Sequence, residues 1–275
     1  MRRRSFLLAP VLLLAGPARA APRVTAVPGG VARLRLGTSE QPPKAFLEGH
    51  RLMVRRERGD WVALAGVALS ARAGSTLRVE VVRPDGQRDE RPITVVRKKY
   101  LTQALTVPPE QAELAPDQVQ RYEAERAHLR EVLATFTESV VPGLALRQPV
   151  PGIRSASFGL RRVINGVERN PHGGMDIAAP IGMRVGATAA GKVLDAGEYL
   201  FLGNTLVLDH GQGLLSLYAH LNAFHSALGD TVPAGATIAE VGATGRVTGP
   251  HLHFSVYLNT VAVDPAIFLP AEKPA

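Results

Sequence analysis

Two different spacings of apolar residues divide this chain. Ala32, Leu34 and Leu36 alternate with Arg33 and Arg35, and Leu77, Val79 and Val81 alternate with Arg78 and Glu80. Period two is the mark of a strand with one face on a core and one in water. Pro84-Asp85-Gly86 supplies turn chemistry before a further run through Ile93 and Val95, which predicts a hairpin. Trp61 opens the apolar stretch Trp61-Val62-Ala63-Leu64 and reads as a core anchor. Residues 21–98 are therefore expected to form a small β-sandwich-like module. The spacing then changes: Val119, Tyr122, Leu129, Leu133 and Phe136 follow one another in steps of three and four, with Arg126 interrupting the stripe. Pro116 suits a first helical turn and Pro142-Gly143 lies past the end, so one amphipathic helix is predicted within a linker at 99–148. The stripe is too short to argue for a coiled coil, and packing against its own chain is expected. From 149 to 270 glycine-bounded strand runs return, among them Thr205-Leu206-Val207-Leu208 and Leu214-Leu215-Ser216-Leu217-Tyr218. A compact antiparallel β domain is expected there, and the chain as a whole is mainly β.

Composition narrows the chemistry. The 275 residues include no cysteine, which excludes disulfides, thiolate zinc sites, iron–sulfur clusters and a cysteine nucleophile. Any metal site must be built from histidine and carboxylate. The first twenty residues read as an export signal: a basic Arg2-Arg3-Arg4, an apolar run from Phe6 to Ala15, and Ala18-Arg19-Ala20 as a cleavage site. The apolar run is about half the ~20 residues of a membrane-spanning helix, so cleavage after Ala20 is expected, with an uncleaved anchor as the alternative. Arg3-Arg4-Ser5-Phe6-Leu7 fits a twin-arginine signal and the general route alike. The expected destination is the periplasm or cell envelope, with no transmembrane segment once the signal is removed. Losing Arg2, Arg3, Arg4 and Arg19 also lowers the formal net charge from +8 to +4. With neither a basic tract nor interleaved aromatics, nucleic acid is not an expected partner.

Six of the eight histidines fall in the second half. In Gly249-Pro250-His251-Leu252-His253-Phe254-Ser255-Val256-Tyr257 the two histidines share one strand face, opposite Leu252, Phe254 and Val256. His172 and Asp176 flank two glycines that disfavour a helix, so a bent loop or strand must aim both side chains at one point. With His253 they make a His, Asp, His set, and three such ligands around zinc leave the fourth position for water. His251 and His220 remain near enough to serve that water as proton acceptor and as a stabiliser of an oxyanion. His50, His128, His210 and His225 read as structural or solvated, and Asp264-Pro265 as a turn.

The second half resembles the lysostaphin/LytM-type zinc metallopeptidases that cut peptidoglycan cross-bridges. The likeness runs in order through Ser157-Phe158-Gly159, His172-Gly173-Gly174-Met175-Asp176, Asp209-His210-Gly211, Tyr218-Ala219-His220-Leu221 and Gly249-Pro250-His251-Leu252-His253-Phe254. It implies zinc ligands at His172, Asp176 and His253 and catalytic histidines at His220 and His251. The strand's alternation does not separate the roles of His251 and His253; that division comes from the resemblance. The expected activity is endopeptidase cleavage of peptidoglycan stem or cross-link peptides. Two alternatives stand beside it: a non-catalytic envelope protein that binds peptidoglycan or activates a partner amidase, and a latent enzyme whose N-terminal module shields the groove.

Overall fold

In the computed structural model, which describes residues 24–106, 115–138 and 143–271, the alternating runs are strands. The expected signal peptide at 1–20 lies outside the described residues. The N-terminal part contains β1 (Val24–Ala26), β2 (Val31–Gly37), β3 (Lys44–Leu47), β4 (His50–Arg51), β5 (Met53–Glu57), β6 (Asp60–Gly66), β7 (Thr76–Val82) and β8 (Arg88–Val95). They form a five-stranded sheet in the order β1-β8-β7-β3-β4 and a three-stranded sheet β2-β6-β5. On β2, Ala32, Leu34 and Leu36 are buried while Arg33 and Arg35 are exposed, the pattern that alternation demands. The β7–β8 hairpin closes over Pro84-Asp85-Gly86 with the Arg83 amide donating to the Gln87 carbonyl at 2.8 Å.

β6 departs from alternation for a physical reason. Ala63 and Ala65 pack into the sandwich with Leu34, Leu52, Val79 and Ile93. Val62 and Leu64, joined by Met53, belong to a second core that also holds Leu214, Leu258 and Val263 from the C-terminal half. A strand covered on both faces has no polar face to show. Trp61 packs against the sandwich core while staying only partly buried: its indole N–H donates to the Ser39 carbonyl at 2.9 Å, and Arg56 lies over its ring.

Two elements occupy the stretch after the module. β9 (Thr102–Leu105), unexpected inside a helical linker, runs parallel to β11 (Arg161–Ile164), with which it shares a three-stranded sheet. Its residues are all exposed, so no apolar period marks it. The expected helix is α1 (Pro116–Leu133). None of its residues is fully buried; Leu129, Val132 and Leu133 pack on Val207, Leu215, Leu217 and Tyr257. Val119 is exposed and Phe136 lies past the helix end, so the buried stripe is narrower than its spacing implied. Polar contacts add to the seat: Glu125 accepts the Leu200 amide at 2.8 Å, and His128 meets Asp195 at 3.3 Å.

The remaining strands are β10 (Arg154–Ala156), β12 (Val167–Glu168), β13 (Met175–Ala178), β14 (Arg184–Gly186), β15 (Gly191–Tyr199), β16 (Gly203–Asp209), β17 (Leu214–Phe224), β18 (Thr231–Val232), β19 (Thr237–Val241), β20 (His251–Leu258) and β21 (Val261–Val263). Ten of the C-terminal strands form an antiparallel sheet whose main path is β10-β13-β20-β17-β16-β15-β18. One face carries Ile177, Leu206, Leu208, Tyr218, Leu252 and Phe254 into the larger core. The other carries Val207, Leu215, Leu217 and Ala219, and α1 covers one end of it.

The two halves meet closely at Gly66, where an added Cβ would lie 2.5 Å from Val261 Cγ2 and 2.7 Å from the Leu258 carbonyl oxygen. A Gly66→Ala variant is expected to lose ~1–3 kcal/mol of stability through overpacking. A Gly143→Ala control, where a Cβ meets nothing within 4 Å, should change little. Denaturant unfolding of both variants checks this.

Candidate metal centre

Register assembles the site. β13 and β20 are antiparallel, with Asp176 opposite His253 and Ala178 opposite His251. Opposed residues share a sheet face, and period two puts both histidines on that face, away from Leu252 and Phe254. His172 comes from the loop before β13 and is clamped through its backbone: its amide donates to the Leu160 carbonyl at 2.9 Å, and the Gly159 amide donates to its carbonyl at 2.8 Å.

His220 needs a special device. Ala219 lies opposite His253, so plain alternation along β17 would turn His220 toward the core. Between Leu206–Tyr218 and Asn204–Leu221 the register with β16 shifts, placing an extra residue on β17. His220 there has φ +63°, a left-handed conformation uncommon outside glycine. The bulge swings its ring onto the site face, 4.8 Å from the His251 ring and 5.9 Å from the His253 ring.

Three donor atoms converge. His172 Nε2, Asp176 Oδ1 and His253 Nδ1 are separated by 3.0, 2.9 and 3.1 Å. His172 Nδ1 donates its proton to the Ser157 carbonyl at 3.0 Å, so in the neutral ring Nε2 is a bare lone pair facing a carboxylate oxygen. Ser255 Oγ, 2.9 Å from His253 Nε2, can accept that nitrogen's proton and leave Nδ1 bare as well. At this spacing the three atoms have to share a positive charge, a proton on one of the rings or a metal ion. The separations lie within a few tenths of an ångström of the ~3.3 Å edge of a tetrahedron around zinc. The donor set therefore fits a metal ion.

The two other imidazoles are oriented alike. His220 Nδ1 donates to the Thr244 carbonyl at 3.0 Å and His251 Nδ1 to the Gly249 carbonyl at 2.8 Å, leaving each Nε2 free. His251 Nε2 lies 3.8 Å from Asp176 Oδ1. Burial and the neighbouring His253 and His251 push His220 down to about 4, so it is neutral near pH 7. Burial alone would raise Asp176, but hydrogen bonds and charge from His172 and His253 outweigh it and hold the carboxyl far below the usual carboxylate range.

All five residues singled out in the sequence thus meet on one shelf, while His50 and His225 are exposed elsewhere. His210 is buried in a separate network, its Nδ1 donating to the Ala190 carbonyl at 2.8 Å and its Nε2 2.7 Å from Ser216 Oγ. Sequence reasoning missed the supporting groups: the carbonyls of Ser157, Thr244 and Gly249, the Ser255 hydroxyl, and the space that Gly174 leaves. A Cβ on Gly174 would sit 2.6 Å from His253 Nε2 and 2.4 Å from Ser255 Oγ. Ser255 was legible as the next residue on the histidine face; the carbonyls left no side-chain signal.

Two family models match the chain, peptidase family M23 over residues 170–265 and the peptidase family M23 N-terminal domain over residues 24–98. A crystal structure from Pseudomonas aeruginosa assigned to peptidase M23 is 39% identical, with a TM-score of 0.75, covering 88% of this chain and 94% of that one. The peptidoglycan DD-endopeptidase ShyB of Vibrio cholerae is 44% identical over 94 residues, 34% of this chain and 22% of the relative. The DD-carboxypeptidase/endopeptidase Mpg of Neisseria gonorrhoeae is 44% identical over 103 residues, 37% of this chain and 24% of the relative. The matched segment thus spans less than a quarter of either curated relative.

A Gly174→Ala variant is expected to displace the His253 ring and weaken metal affinity ~10–100-fold, the usual cost of disturbing a ligand's support; competition with a chromophoric chelator measures it. A second expectation concerns acid. Burial lowers His210, and His220 sits at about 4. Unfolded histidine takes up protons below ~6.5, whereas these rings resist. The unfolded state then binds more protons, so the metal-free protein should lose stability as pH falls from ~6.5 toward 4 and show a plateau above ~7. Thermal melts across that range would read this directly.

Proposed function

The chain belongs to peptidase family M23, and from that premise we propose that it is an exported, zinc-dependent endopeptidase that hydrolyses peptide bonds in peptidoglycan stem or cross-link peptides. In this reading residues 1–20 are the export signal, 21–98 the N-terminal module, 99–148 the connecting stretch and 149–270 the peptidase domain. The observation that carries it is the convergence of three metal-donor atoms with two further imidazoles whose bare nitrogens face the same space. Peptidoglycan as substrate is supported by the likeness to the peptidoglycan DD-endopeptidase ShyB. The non-catalytic alternative gives no reason for keeping His220 and His251 on the shelf beside the three donors.

His172, Asp176 and His253 would hold the zinc. What zinc supplies when bound is Lewis acidity, toward the scissile carbonyl and toward water. His251 Nε2, bare because Nδ1 is committed to Gly249, takes a proton from the attacking water and returns it to the leaving amine. His220 is neutral near pH 7 with Nε2 bare; a proton taken from solvent would let its Nε2–H donate to the developing oxyanion, and is returned to solvent when that charge collapses. Its left-handed backbone and the Thr244 carbonyl keep the ring in place for that task.

His253→Ala should lose both zinc and cleavage of purified sacculi. His251→Ala should keep zinc and lose ~10²–10⁴-fold in turnover. Metal analysis and mass spectrometry of the released fragments, with and without a chelator, check both. A His253→Ala protein with full zinc and activity would overturn the ligand assignment.

A further inference from the structure

His220 is held by a turn that α1 holds in its own right. Leu200-Phe201-Leu202 joins β15 to β16, and the Leu202 carbonyl accepts the His220 amide at 2.8 Å. That bond fixes the main chain at the residue whose left-handed φ turns its ring onto the shelf. The ring's own anchor, the Thr244 carbonyl, leans on the same turn. The Arg246 amide donates to the Phe201 carbonyl at 3.0 Å, and Thr244 Oγ1 accepts the Asn204 amide at 2.9 Å. The two segments touch through glycines: a Cβ on Gly203 would lie 2.6 Å from the Gly245 nitrogen, and one on Gly245 2.6 Å from the Phe201 carbonyl oxygen.

α1 grips this turn at two points. Glu125 Oε2 accepts the Leu200 amide at 2.8 Å, while its Oε1 accepts from Arg121 Nε at 2.6 Å. The Glu125 side chain is only 17% exposed, so little water competes for the turn amide, and a bond to a charged acceptor is roughly twice as strong as a neutral one. Tyr122 meets Phe201 edge to face at 5.1 Å, and Arg246 lies over the same ring at 5.4 Å. From Glu125 to His220 the path is one hydrogen bond, two residues of chain and a second hydrogen bond.

We infer that Glu125 and Tyr122 are positioning residues for the reaction: through the 200–202 turn they hold His220 where its ring reaches the oxyanion. The inference rests on the peptidase reading and deepens it, because α1 then belongs to the working peptidase half and is no passive connection. Both residues act at one remove from the metal donors, so zinc binding is spared when they are lost.

The test uses the mature full-length chain and three readouts: backbone amide exchange by NMR, zinc affinity, and steady-state cleavage of a soluble cross-linked stem-peptide dimer. Glu125→Ala should speed exchange of the His220 amide at least ~10-fold and lower kcat ~10–100-fold, with KM and zinc affinity within about twofold of wild type. Glu125→Gln keeps a carbonyl acceptor for the Leu200 amide and should restore most of both. His128→Ala and Val132→Ala are the controls. They remove the contact to Asp195 and an apolar contact of the same helix, further along it than Glu125, and should leave His220 exchange and kcat as in wild type. Unchanged His220 exchange in Glu125→Ala, equal changes in the controls, or a loss of zinc affinity in Glu125→Ala would each overturn the inference. Exchange is read without substrate. Faster exchange with no fall in kcat sinks the inference and leaves the peptidase reading intact. A wild type that cleaves no peptide sinks that reading, and the exchange comparison still decides whether the helix holds His220.

Discussion

Three electron-rich atoms held about 3 Å apart form the constraint on which the rest of this structure depends. Left alone they repel, and the chain has to supply the force that keeps them together. Part of it comes from the β13–β20 ladder, which sets Asp176 across from His253 with no freedom of register. Part comes from the carbonyl of Ser157, which fixes the His172 ring and its tautomer. Ligands held in this way need little reorganisation when a cation arrives, which is what support around a metal site provides.

The large sheet is two-faced. Its core face buries Ile177, Tyr218, Leu252 and Phe254 and holds the strands in register, while its other face is free to carry polar chemistry. A slip of one residue along β20 would move His251 and His253 into the core and Leu252 and Phe254 out of it. Burial of those apolar side chains is therefore also what orients the imidazoles. α1 lies on the same face as the site but further along, where Leu215, Leu217 and Tyr257 need cover. At the site, local strain falls on His220, whose left-handed backbone brings a fourth imidazole to a face that alternation denies it.

The N-terminal module is joined to the peptidase half through packed side chains. Met53, Val62 and Leu64 share a core with Leu214 and Val263, and Gly66 leaves room for Val261. β9 adds a parallel rung to β11, and Tyr100 closes against Gly159 one hydrogen-bonded step from His172. The module and a metal ligand are thus linked by a short series of direct contacts.

The sequence by itself determined the alternating runs of β2, β7 and β8, the existence of one helix, the exclusion of thiolate chemistry and five candidate residues for the site. Each of these is written in side chains whose spacing has one economical reading: alternation for β2 and β7, and a strand face for His251 and His253. Only the tertiary structure decided the rest. β6 has an unbroken apolar run because a second domain covers its outer face, and no local pattern says what that cover is. The partner of the Trp61 indole N–H is the Ser39 main-chain carbonyl, which no local pattern announces. β9 escaped notice because a strand held mainly by backbone pairing needs no apolar period. The tautomers of His172, His220 and His251 are set by main-chain carbonyls, which every residue possesses and no sequence motif distinguishes. The inward turn of His220 rests on a bulge, a matter of how two strands count against each other, and that count exists only once they are paired.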